Sequence, residues 1–123
     1  MQISGETVLN FLTGKNSIID GKLLSICVQD AEEAVSVVLE IAPRPGASFK
    51  YLKLIFEQVS EFEFSHRSEY VFGNIEALKL SINADRQFYL SVDPDLSSEG
   101  PSDQDRDYVI SKGLTAEVAQ SFV

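Results

Sequence analysis

Residues 50–65 read KYLKLIFEQVSEFEFS, and their alternation decides the fold class. Tyr51, Lys53, Ile55 and Glu57 fall on one side of an extended chain, and Leu52, Leu54 and Phe56 on the other. Successive side chains of a strand point to opposite faces, so this spacing is a strand with one apolar face. At Val59 and Ser60 the alternation slips, which predicts a bulge or bend. Phe62 and Phe64 then alternate with Glu61, Glu63 and Ser65. A bulge there lets the strand turn from one sheet toward another.

The period of two continues on both sides. Upstream, KLLSICVQD (22–30) puts Leu24, Ile26 and Val28 on one face and Leu23, Ser25, Cys27 and Gln29 on the other. The turn DAEEA leads into VSVVLEI (35–41), with Val35, Val37, Leu39 and Ile41 on one face, so the pair reads as a hairpin. PRPG at 43–46 ends it, because proline gives a ladder no donor and glycine permits positive φ. Downstream, IEALKLSIN offers Ile75, Leu78, Leu80 and Ile82. NADR (83–86) is a tight turn, and QFYLSVD returns with Phe88, Leu90 and Val92 as a second hairpin. YVISKGLTAEV then gives a short strand around Tyr108–Ile110 and a second over Leu114–Val118. At the N-terminus, SGETVLNFL (4–12) reads as a short helix capped by Ser4 and stopped by Gly14, with Val8, Leu9 and Leu12 on one side; a strand over the same stretch is the alternative.

The expectation is a single all-β domain over 1–123, mostly antiparallel. It would be a two-layer sandwich or partly open barrel of six to eight strands, with one short N-terminal helix. Large apolar residues on both faces of some strands favour two layers over one open sheet. At 123 residues with 44% apolar content, the chain can build a core without staples.

Nineteen acids stand against ten bases, a net charge of −9. That field repels phosphate backbones and anionic lipid, which argues against nucleic acid and membrane surfaces as partners. The single cysteine, Cys27, excludes an internal disulfide. It lies between Ile26 and Val28, where a thiol is expected to be buried packing material. MQISGETVLNFLTG shows no basic leader region and no long apolar run. A cytoplasmic protein is expected.

The acids concentrate in DPDLSSEGPSDQDRD (93–107), where six carboxylates meet one arginine, a local charge of −5. Asp93, Asp95, Ser97 and Glu99 alternate as calcium ligands do. Ser98 stands where an EF-hand needs glycine, and Gln104 where it needs glutamate, so no EF-hand and no metal site is expected. A solvated loop held extended by like charges is the plain reading. Asp93, Asp95, Glu99, Asp103, Asp105 and Asp107 are the residues through which such a loop would meet a partner.

Catalytic patterns are sparse. Cys27 and the only histidine, His66, could form a thiol dyad only if the fold brought them together. Glu57, Glu61 and Glu63 alternate along the strand as its wet face rather than as a glycosidase pair. There is no phosphate-binding glycine loop and no nucleotide fingerprint, so no cofactor is expected.

Three stretches carry a family resemblance: LKLIFEQVSEFEF (52–64), DRQFYLSVDPDLSSE (85–99) and SDQDRDYVIS (102–111). Together they resemble small bacterial β-rich proteins of the polymorphic-toxin immunity type, over about residues 51–112. The resemblance implies a non-enzymatic protein that neutralises a cognate toxin, and it carries no catalytic residue onto this chain. An acidic immunity protein suits a basic toxin domain as partner, because opposite fields steer association. The competing reading is a small-ligand-binding β domain whose mouth is lined by Phe56, Phe62, Phe64, Phe72 and Phe88. A homodimer through an exposed strand edge is a further expectation.

Overall fold

A computed structural model describes residues 1–121, with Ala31 through its backbone alone. The elements in chain order are β1 (Gln2–Ser4), α1 (Glu6–Phe11), a 3-10 turn (Gly14–Asn16), β2 (Lys22–Ala31), β3 (Ala34–Ala42), β4 (Tyr51–Glu63), β5 (Lys79–Ile82), β6 (Phe88–Asp93) and β7 (Arg106–Ala119). All seven strands belong to one open sheet of order β2-β3-β4-β7-β6-β5, with β1 also on β7. Its ladders are antiparallel. The expected β class and short N-terminal helix are therefore present. The strands form a single sheet rather than two separate layers.

The long β4/β7 ribbon explains how one sheet can do this. Its register runs from Tyr51↔Ala119 to Glu63↔Tyr108, with a shift between Val59 and Glu61. Gln58 there adopts φ 52, so the slip seen in the sequence is a real bulge. The β3–β4 ladder stops at Val37↔Phe56, just before the bend. On the far side, β7 takes β6 along its first half and β1 along its second. The bent ribbon thus carries two leaves, and residues from both enter one core cluster: Leu39, Leu52, Leu54 and Phe56 with Leu90 and Val109. The connection between β4 and β5 is hydrogen-bonded to the start of β2. Leu23 N donates to Gly73 O (2.7 Å), Ile75 N to Gly21 O (3.1 Å) and Asp20 N to Ile75 O (2.7 Å).

Several local expectations shift for identifiable reasons. Ser4 lies in β1, and Gly5 takes the helix N-cap position at φ 66 with no side-chain cap. Gly14 opens the 3-10 turn instead of ending the helix directly. Val8 and Leu12 are nevertheless buried, as their spacing requires. A register shift between Leu23 and Ser25 buries Leu23 and exposes Leu24. Cys27 is exposed, not packed, because its neighbours Ile26 and Val28 pair with the buried Leu39 and Val37, which puts its own side chain on the face away from the core. The two short C-terminal strands are one 14-residue strand, β7, which also takes in Asp107.

Candidate partner-binding site

The acidic stretch leaves β6 at Asp93 and re-enters the sheet at Arg106, so both ends are fixed by neighbouring strands. β5, β6 and β7 pair as Lys79↔Ser91 and Ser91↔Tyr108, which puts these three side chains on one face. Tyr89, two residues from Ser91, shares that face. The loop folds over it. Lys79, Tyr89, Ser91 and Asp105 are all buried there, a polar patch within a β sheet.

Asp105 is the centre of this patch. Its carboxylate accepts from Lys79 Nζ (2.9 Å), from the Tyr89 hydroxyl, and from the amides of Asp95 (2.7 Å) and Ser102 (2.9 Å). Lys79 Nζ also donates to Gly100 O (2.7 Å) and Ser98 Oγ (3.1 Å). Every donor of the ammonium thus has an acceptor, the condition under which a buried charge is tolerated. Burial pushes the Asp105 carboxyl upward. The Tyr89 hydroxyl, Lys79 and the two amides outweigh it and hold the group at about 2. Burial and the Asp105 charge raise the Tyr89 phenol well above its ordinary range.

The six sequence-selected acids therefore divide. Asp93, Glu99 and Asp103 are exposed. Asp95 is half-buried and accepts from Ser97 N (3.0 Å) and Ser97 Oγ (2.8 Å), contacts that lower its pKa. Asp107 is half-buried and accepts from Ser65 N (2.9 Å). Burial and the nearby Asp93 and Glu63 carboxylates raise its pKa against that bond. Asp105 is 4% exposed and offers no carboxylate to a partner. The loop is also not held open by repulsion: it is folded around an internal ion pair. Sequence reasoning missed Lys79, which sits in an otherwise apolar alternation. The only available signal was a lysine between Leu78 and Leu80 opposite a loop rich in acids.

An open depression lies beside these groups, lined by Asp93, Pro94, Asp95, Gln104 and Arg106. Its carboxylates can receive a basic side chain, with Arg106 offsetting part of the charge. On the face of Tyr108, Glu61 accepts the Tyr108 hydroxyl, which raises that phenol to about 12, and Tyr108 stacks on Tyr89 at 6.2 Å.

The other candidates are placed as follows. Cys27 stands on β2, and His66 lies edge-on to Phe72 at 5.6 Å; among the described residues no hydrogen bond joins the two. Of the five aromatic residues, Phe56 is sealed in the core and Phe64 and Phe88 lean against it. Phe62 and Phe72 are 41% and 42% exposed. A fully buried Phe56 cannot line a mouth open to solvent. Among the described residues no three His, Cys, Asp or Glu side chains gather as a metal site. No helix there is long and apolar enough to cross a membrane. Comparisons of the chain with protein-family models, with curated proteins and with solved structures find no match.

Proposed function

We propose that this chain is a non-enzymatic protein-interaction domain that presents a preformed acidic face to a basic protein partner, in the manner of a toxin-neutralising immunity protein in the bacterial cytoplasm. The observation that carries this reading is the Asp105 knot. It fixes the backbone of the acidic loop before any partner arrives, so Asp93, Glu99 and Asp103 are displayed with little ordering left to do. The −9 net charge adds long-range steering of a cationic surface.

The test is kinetic. The immobilised chain is used to capture its partner, and association is followed over a salt series. The captured protein is expected to be basic, with an association rate that falls as salt rises. The triple variant Asp93→Asn, Glu99→Gln, Asp103→Asn is expected to associate more slowly and with a flatter salt slope. Unchanged rate and slope in the triple variant would remove the loop from recognition.

A further inference from the structure

β2 ends the sheet, and its outer edge is open over most of its length. Only the Asp20–Leu23 end is covered among the described residues, by Gly73–Ile75. Among the described residues, no backbone group from another segment bonds to the outer side of Ser25–Asp30. The β2–β3 turn has two residues, Glu32 and Glu33, both at positive φ, so Ala31 and Ala34 form the hydrogen-bonded closing pair. Bonding alternates from there, so Gln29 and Cys27 bond inward to β3 while Ile26, Val28 and Asp30 aim their N–H and C=O groups outward.

Natural edges are blunted by proline, lysine or an inward-pointing charge. From Ser25 to Gln29 this edge has none of these, and its one irregularity lies between Leu23 and Ser25, toward the covered end. Val28 is 48% exposed although its register partner Val37 is fully buried, so the apolar face of the sheet runs uncovered to the edge. The opposite end of the sheet, β5, is only four residues long.

We propose that the chain forms a two-fold homodimer in which β2 pairs antiparallel with β2 of a second copy, centred on Cys27. The sequence of the strand is self-complementary in that register. Ile26 falls opposite Val28 of the second copy, and Val28 opposite its Ile26, which extends the apolar face across the junction. Lys22, at one end, is brought to the end of the other copy that carries Asp30, Glu32 and Glu33. A parallel arrangement would instead put the two acidic ends together. Cys27 then faces its own counterpart as a non-hydrogen-bonded pair, the closest type across an antiparallel junction, at a Cα separation of about 4.5 Å. That separation lies within the range that a disulfide spans.

Sedimentation equilibrium of the full chain is expected to show a mass of two chains, shifting to one on dilution. Dimerisation should strengthen with salt, because two copies of charge −9 repel. This is opposite to the salt response of a basic partner, and the triple loop variant, which carries less negative charge, should dimerise at least as tightly as the native chain, so the two proposals fail separately. Val28→Lys is expected to give a monomer. Val28→Pro should do the same, since an outward N–H is not needed within the chain. Circular dichroism checks that each variant is folded. Amide exchange at Ile26, Val28 and Asp30 should slow with rising concentration in the native chain. Diamide, which takes up the two electrons and two protons of a thiol pair, should give a reducible covalent dimer. Cys27→Ser should abolish that bond and leave the non-covalent dimer intact. A one-chain mass at every concentration, or a dimer that survives both Val28 variants, would overturn the proposal.

Discussion

Asp105 and Lys79 carry opposite charges where water does not reach, with side-chain exposures of 0% and 6%. Removing one partner strands the other. Asp105→Ala is therefore expected to cost ~3–5 kcal/mol in urea unfolding; removing both charges should cost less, the remainder coming from the Tyr89 hydroxyl and the Asp95 and Ser102 amides left without an acceptor. The pH dependence has a definite sign. Asp105 sits at about 2 in the folded protein against an ordinary aspartate value of 3.8. A depressed carboxylate stabilises above its unfolded pKa and loses that contribution as pH falls toward the folded value. Thermal melts should therefore drop between about pH 4 and about pH 2, and the drop should shrink in the variant lacking both charges. Asp107 acts in the opposite sense, because its pKa is raised: it withdraws stability as pH rises through its folded value. At the alkaline end, Tyr51 and Tyr108 are raised to about 12. Burial dominates for Tyr51, and the Glu61 bond for Tyr108. Phenolate absorbance should show both titrating late, with stability lost as they ionise.

Among the elements, the β2–β3 turn and the Gly73 segment are the most informative. Glu32 and Glu33 adopt φ 47 and 70, a conformation that side-chain-bearing residues other than Asn and Asp take at a cost. Glu32→Asn with Glu33→Gly should stabilise the hairpin by ~1 kcal/mol or more, read as a rise in melting temperature of several degrees. Gly73 is the reverse case. It has φ +91, and a Cβ there would lie 2.3 Å from the Leu23 carbonyl oxygen, the group beside which the chain crosses from β4 to β5. Gly73→Ala should destabilise markedly and speed amide exchange at Leu23 and Ile75, whose bonds tie the β4–β5 connection to the start of β2. The alternation in 50–56 and 35–41 was legible because both stretches meet the core with one face only. The faces of β2 and β5 were not, since a terminal strand buries its residues according to what covers it.

For the molecule as a whole, charge and topology act together. A net charge of −9 on a chain this small opposes compaction. Raising ionic strength from ~0.01 M to ~0.15 M shortens the screening length from ~30 Å to ~8 Å. The melting temperature should rise over that range, and by less in the triple loop variant. A melting temperature independent of salt would mean that the acids are already compensated within the fold. The surface acids of the candidate site were legible in the sequence as composition. Their division into displayed and internal groups was not, because it depends on a lysine 26 residues away from Asp105.

The sequence by itself determined the β class, the bulge in β4, the two hairpins and the negative character of the exterior. Each of these follows from side-chain period, turn chemistry or counted charge, which are local or additive properties. Only the tertiary structure decided that one bent sheet encloses the core, that Asp105 turns inward to Lys79 and Tyr89, and that Cys27 stands on an open edge. Those outcomes depend on which segments become neighbours, and burial and hydrogen bonding assign a side chain its role only once the neighbours are in place.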